Sequence, residues 1–202
     1  MNRREFIIGS AFSLGGCASI KKVITPSNKV QESATMIGSL SGFAPQVGVL
    51  VSMLNYVRFQ SEITIRDISI QKLDYLHDAK ANRIGALLLH VAAIEYYYQT
   101  TTLPLFAGSY TGLEKSDLEI AMDLGDKSRE VVINKPITYY LDFMKSVRDT
   151  TISSFKKLDD KWLMTVDHGA SFGATNNYCK WFHVCEHESN HFGQIKWLLS
   201  RA

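Results

Sequence analysis

Apolar side chains recur at helical spacing in four long stretches, and strand-like alternation is nearly absent. The first stretch runs from about Pro45 to Glu62, with Leu50, Leu54 and Val57 on one face and Pro45 suited to a first turn. The second covers about Asn82 to Thr100 with Ile84, Leu87, Leu88, Val91 and Ile94. The third covers about Ile137 to Leu158 with Tyr140, Phe143, Met144, Val147, Thr151 and Phe155. The last covers about Asn176 to Arg201 with Phe182, Cys185, Phe192, Ile195 and Leu199. Each is long enough for a bundle helix, so the pattern predicts an all-α fold, a four-helix bundle. Glu62–Ile70, the only candidate strand, reads as a connector.

The connections are uneven. Thr101 to Pro136 separates helices two and three by roughly 36 residues and holds Pro104, Gly108, Gly112 and Gly125, with a short helix expected near Ser116–Asp123. A connection that long carries either a crossover or function, and it is placed to lid a pocket.

Composition sets the limits. The chain has 202 residues, 46% hydrophobic and 21% charged, which suits one domain with a real core plus a short tail. A net charge of +2, with no basic stripe interleaved with aromatics, argues against nucleic acid as a partner. No apolar run reaches the roughly 20 residues that span a bilayer. The aromatic content is compatible with a homodimer, and the run Tyr96-Tyr97-Tyr98 reads as core and interface packing.

Residues 1–16 read as an export signal. Arg3 and Arg4 precede Phe6, Ile7 and Ile8 and a short apolar stretch, an arrangement that resembles a twin-arginine signal. Leu14-Gly15-Gly16-Cys17 resembles a lipobox, in which Cys17 would carry lipid. The polar residues 17–35 then form a tether, and 36–202 the helical domain. The expected location is the bacterial cell envelope, with membrane contact only through the N-terminal lipid. Cys179 and Cys185 are six apart in one expected helix, about 9 Å along its axis, beyond the reach of a disulfide, and read as free, buried thiols.

The chemistry concentrates in histidines. His183, His187 and His191 follow one another at i, i+4 and i+8 on the last helix. Two imidazoles four apart share a face and can hold one ion, whereas all three span about 12 Å, too far for a single metal. A third ligand must come from another helix. His90 stands mid-helix in an apolar run, where a ring needs a partner. His90, His187 and His191 thus form a candidate site for one divalent metal, zinc or nickel, with a coordination position left for water or substrate. His183 would line the pocket or support the ligands, and Cys185 points away from His187. His77 and His168 carry no assignment.

A second motif overlaps the first. His187-Glu188-Ser189-Asn190-His191 spells H-E-x-x-H, in which Glu188 would be the general base of a zinc peptidase. The extended pattern fails, since Gln194 and Trp197 stand where a Gly and a His are needed. No carboxylate follows His191 to supply a third ligand of the other type.

Three segments carry a family resemblance: LLLHVAAIEYYY around His90, RDTTISSFKKLDDKWL with Asp160 and Trp162, and HESNHFGQIKWLLSR, where His-x3-His precedes Gly193-Gln194-Ile195. From about Pro45 to the end the chain resembles the DinB-like superfamily, also called the bacillithiol-transferase or damage-inducible superfamily. The resemblance implies a four-helix bundle holding one divalent metal at His90, His187 and His191. It implies Gln194 near that metal and Gly193 at a close helix contact. Members include S-transferases that use a low-molecular-weight thiol, so such a thiol is an expected cofactor, although an export signal sets this chain apart from that cytoplasmic branch. Three readings follow. One is a metal-dependent enzyme, hydrolase-like or thiol-transferring. Another is a non-enzymatic metal-binding lipoprotein in stress or envelope maintenance, and the third is a structural bundle that the metal merely staples.

Overall fold

A computed structural model describes residues 34–104 and 115–202. The segment expected to be an export signal, Cys17 and nearly all of the expected tether lie outside the described residues, as do residues 105–114 of the long connection.

The class is all-α. Four long helices carry the fold: α1 (Pro45–Ile65), α3 (Ile84–Thr102), α6 (Ile137–Phe155) and α8 (Asn177–Leu199). Between them lie α2 (Ile70–Leu73), α4 (Lys115–Asp123), α5 (Gly125–Val131) and α7 (Asp160–Met164). Strands β1 (Val166–Asp167) and β2 (Thr175–Asn176) pair antiparallel, Val166 opposite Asn176 and Asp167 opposite Thr175. Helix α3 packs on α6, α4 and α8, while α1 packs on α8 and α6, so the long helices close a ring. Among the described residues no helix is long and apolar enough to cross a membrane.

Local chemistry sets the helix ends. Pro45 occupies the first turn of α1, and the orphan N–H groups of Gln46 and Val47 donate to Asp160 Oδ1 at 3.0 and 3.2 Å, from the far side of the sequence. Asp159 caps α7 by accepting from Trp162 N, and Asn176 caps α8 by accepting from Cys179 N, each at 2.9 Å. The break between α4 and α5 falls at Leu124 and Gly125, both with positive φ, where glycine is at ease.

The expected boundaries shift where burial decides them. Helix α1 continues past Glu62 because Ile65 is fully buried. The third long helix stops at Phe155 rather than Leu158, and the chain re-enters a helical turn under the Asp159 cap. The expected short helix is present as α4, whereas α2, α5, α7 and the two-strand pair were not anticipated.

The core is divided. One apolar cluster takes Ile65, most of α3 up to Ala93, Tyr140 to Val147, and Ile195 and Leu198. The other takes Val47 to Val57, Tyr98, Phe155, Leu163 and Trp181 to Cys185. Each long helix passes from one cluster to the other across a buried charge: Arg58 on α1, Glu95 on α3, Arg148 on α6 and Glu188 on α8.

Candidate metal centre

The three histidines expected to meet do meet. One nitrogen from each of His90, His187 and His191 lies within 4.8 Å of the others, close enough to bind a metal. The ring centroids of His90 stand 4.9 Å from both partners, and those of His187 and His191 are 4.4 Å apart. His90 is buried on α3; His187 and His191 share one face of α8 and are half-buried.

Hydrogen bonds settle which nitrogens are free to ligate. His90 Nδ1–H donates to the carbonyl of Ala121 at 2.8 Å, since a carbonyl can only accept. In the neutral ring Nε2 is then a bare acceptor. His191 Nδ1–H donates to Gln194 Oε1 at 3.2 Å, which frees its Nε2 in the same way. Support of this kind from a carbonyl or amide is what orients metal-bound imidazoles. His187 Nε2 faces His191 Nε2 at 3.1 Å. Two such nitrogens at that distance need a proton or a cation between them. Nitrogens bound tetrahedrally at zinc lengths are separated by about 3.3 Å, so the pair is nearly set for an ion.

The electrostatics favour neutral rings, the form a metal requires. Burial pushes the His187 imidazole down, and His191, His90 and His183 reinforce the shift to about 3. Burial also lowers His90, against the opposing effect of the Ala121 carbonyl, and it lowers His191, with His90 adding to it.

His183 lies beside the site, its ring 5.3 Å from that of His187, and its Nδ1 pairs with Glu186 at 3.2 Å. Gln194 touches His191 as described, and its Nε2 donates to Asn190 Oδ1 at 3.2 Å. His77 meets Trp197 in a T-shaped contact at 4.7 Å and is not among the three converging histidines. Cys185 is buried, with its thiol raised to about 11 by burial and by Glu188, whereas Cys179 is exposed, contrary to expectation. Gly193 makes no close helix contact either: a Cβ there would meet nothing within 4 Å.

Glu188 requires a correction. Its carboxylate points away from the histidines into the buried charged layer. Oε1 accepts from Arg58 Nε at 2.7 Å, and Oε2 accepts from Arg148 at 3.0 Å and from Arg58 at 3.3 Å. Three charge-assisted bonds from two guanidinium groups hold this carboxylate in the layer, which argues against a role as general base to a metal-bound water. The opposite carboxylate, Glu95, accepts from Arg148 Nε at 2.8 Å and from Thr151 Oγ1 at 2.6 Å. Burial alone would raise the Glu95 carboxyl, but Arg148 and Arg58 outweigh it and hold it below its ordinary value.

Sequence reasoning missed two contributions. The Ala121 carbonyl comes from α4 in the long connection, and main-chain ligation leaves no signature in side-chain identity. Arg58, Glu95 and Arg148 did leave one, since each sits next to the apolar stripe of its helix (Val57-Arg58, Ile94-Glu95, Val147-Arg148). No known family model matches this chain, and no curated protein matches it.

Proposed function

We propose that this protein is a divalent-metal-dependent enzyme acting on a small molecule, built as a four-helix bundle of the DinB-like kind. The observation that carries the reading is the convergence of His90, His187 and His191, with the tautomers of His90 and His191 fixed by Ala121 and Gln194. Three neutral imidazoles add no negative charge to the ion, which keeps its electrophilic character and a coordination position for a reactant. A bound zinc or nickel ion would supply Lewis acidity, lowering the pKa of a water or thiol held there. The chain's own part is to hold the rings. The α4 carbonyl fixes His90, Gln194 fixes His191, and the charged layer seats α8 against α3. With Glu188 committed to that layer, hydrolase-like chemistry and thiol transfer fit the site better than peptide hydrolysis. The N-terminal motifs extend the proposal to an envelope protein tethered through Cys17.

The test is metal stoichiometry by mass spectrometry on the purified protein, beside His90→Ala and His187→Ala, with circular dichroism as the control for folding. About one zinc or nickel per chain, lost in both folded variants, supports the reading. A parent that stays metal-free after reloading with zinc and with nickel overturns it.

A further inference from the structure

Gly193 lies deep inside α8, where glycine weakens a helix and is usually retained for close packing. Two other glycines inside long helices, Gly48 and Gly85, show such packing. A Cβ on Gly48 would stand 2.6 Å from the Leu40 nitrogen, and one on Gly85 would collide with the Tyr140 ring. At Gly193 there is nothing within 4 Å. What the missing side chain leaves is space, and that space is part of a groove of about 560 Å³ between the start of α3 and the last turns of α8.

The groove adjoins the metal centre. Leu87 on its floor is one turn before His90, while Asn190 and Gln194 on its wall flank His191. Gln194 belongs to both, accepting from His191 Nδ1–H and donating to Asn190. The volume is of the size that holds a small ligand. Its lining combines the buried Leu87 and Leu198, Trp197, the amide-bearing residues Asn82, Asn190 and Gln194, and the basic residue Lys80. Trp197 is held in place, with the Arg201 guanidinium 3.8 Å above its ring and the His77 edge at 4.7 Å.

We infer that this groove is the substrate subsite of the proposed metal centre and that it takes an N-acyl amino acid or a similarly small amide-bearing carboxylate. The inference rests on the metal-enzyme reading. The cation suits the carboxylate, the carboxamides suit the amide, and the apolar base with Trp197 suits a short aliphatic side chain. Gly193 is a specificity-determining position: its lack of a side chain keeps the groove open.

N-acetyl-L-leucine is the probe. It is titrated into the full-length protein, metal-free and cobalt-loaded, by calorimetry and through the Trp197 indole resonance. The parent is expected to bind it and to lose about tenfold or more in affinity on Gly193→Leu, with metal content and folding unchanged. Lys80→Gln, or removing the carboxylate from the probe, is expected to weaken binding as well. In the cobalt protein the probe should perturb the visible spectrum through Gln194 and His191, and should fail to do so in Gly193→Leu. Absence of binding to the parent, or equal binding by Gly193→Leu, overturns the inference. Cobalt uptake without probe binding sinks the groove alone, whereas probe binding by a chain that takes up no metal sinks the link to a metal centre.

Discussion

Replacing Glu188 with Gln keeps the shape of the side chain and removes its charge. The four buried residues Arg58, Glu95, Arg148 and Glu188 carry no net charge together, and their side chains are 7%, 0%, 7% and 2% exposed. The variant leaves one positive charge unbalanced in the core. It also turns an amide N–H₂ toward guanidinium donors where a carboxylate oxygen had accepted. Breaking one partner of a buried pair costs about 3–5 kcal/mol. In a domain of this size each kcal/mol lowers Tm by about 2–4 °C, so the expected fall is about 6–20 °C. The assay is thermal and denaturant unfolding of metal-free protein followed by circular dichroism, so that bound metal adds nothing to the stability. Arg58→Met combined with Glu188→Met restores neutrality and should recover much of the loss, because apolar replacements of whole buried pairs are often tolerated. Metal stoichiometry in Glu188→Gln should match the parent. A loss below about 1 kcal/mol, the scale of exposed pairs, would refute the account of the layer.

Other expectations follow from single contacts. Glu95 is held below its ordinary value of 4.5, so its contribution to stability is present above that pH and is lost as the pH falls through the lower folded value. Unfolding free energy measured between neutral pH and strongly acidic buffer should show this slope, and Glu95→Gln should flatten it. Gly193→Ala should raise stability by about 0.5–1 kcal/mol in denaturant melts, while Gly85→Ala, whose Cβ collides with Tyr140, should lower it. Asp160→Ala removes the acceptor for Gln46 N and Val47 N at the start of α1 and should cost about 1 kcal/mol in the same assay. Gln194→Ala should weaken metal binding about 10–100-fold in competition with a chelator, with little change in melting.

Periodicity made the long helices legible, because a stripe of apolar residues at 3.6 spacing has few other uses in a chain of this composition. Apart from α4, the short elements were hidden for the opposite reason. Helix α7 has only five residues and rests on the Asp159 cap and on burial of Leu163, neither of which produces a repeating pattern. The histidine set could be assembled from sequence because i, i+4 spacing fixes two ligands on one face and an apolar run isolates the third. The charged layer escaped because a charge beside the apolar stripe of a single helix looks like the edge of the solvated face. Only the ring of helices shows that four such edges meet.

That meeting also explains why H-E-x-x-H misleads here. On a helix Glu188 is turned about 100° from His187, and His191 about 40°. In a closed ring the face one quarter-turn from the histidines is core, so the glutamate enters the layer while the imidazoles stay together beside α3. The layer in turn fixes where His90 stands relative to His187 and His191. Sliding α8 by one helical turn, about 5.4 Å, would carry Glu188 away from Arg58 and Arg148 into an apolar cluster and strand both guanidinium groups. Apolar side chains alone penalise such a slip weakly, because one aliphatic contact replaces another. Charges buried at one level of all four helices penalise it strongly, and the three ligands lie within two turns of that level on α3 and α8.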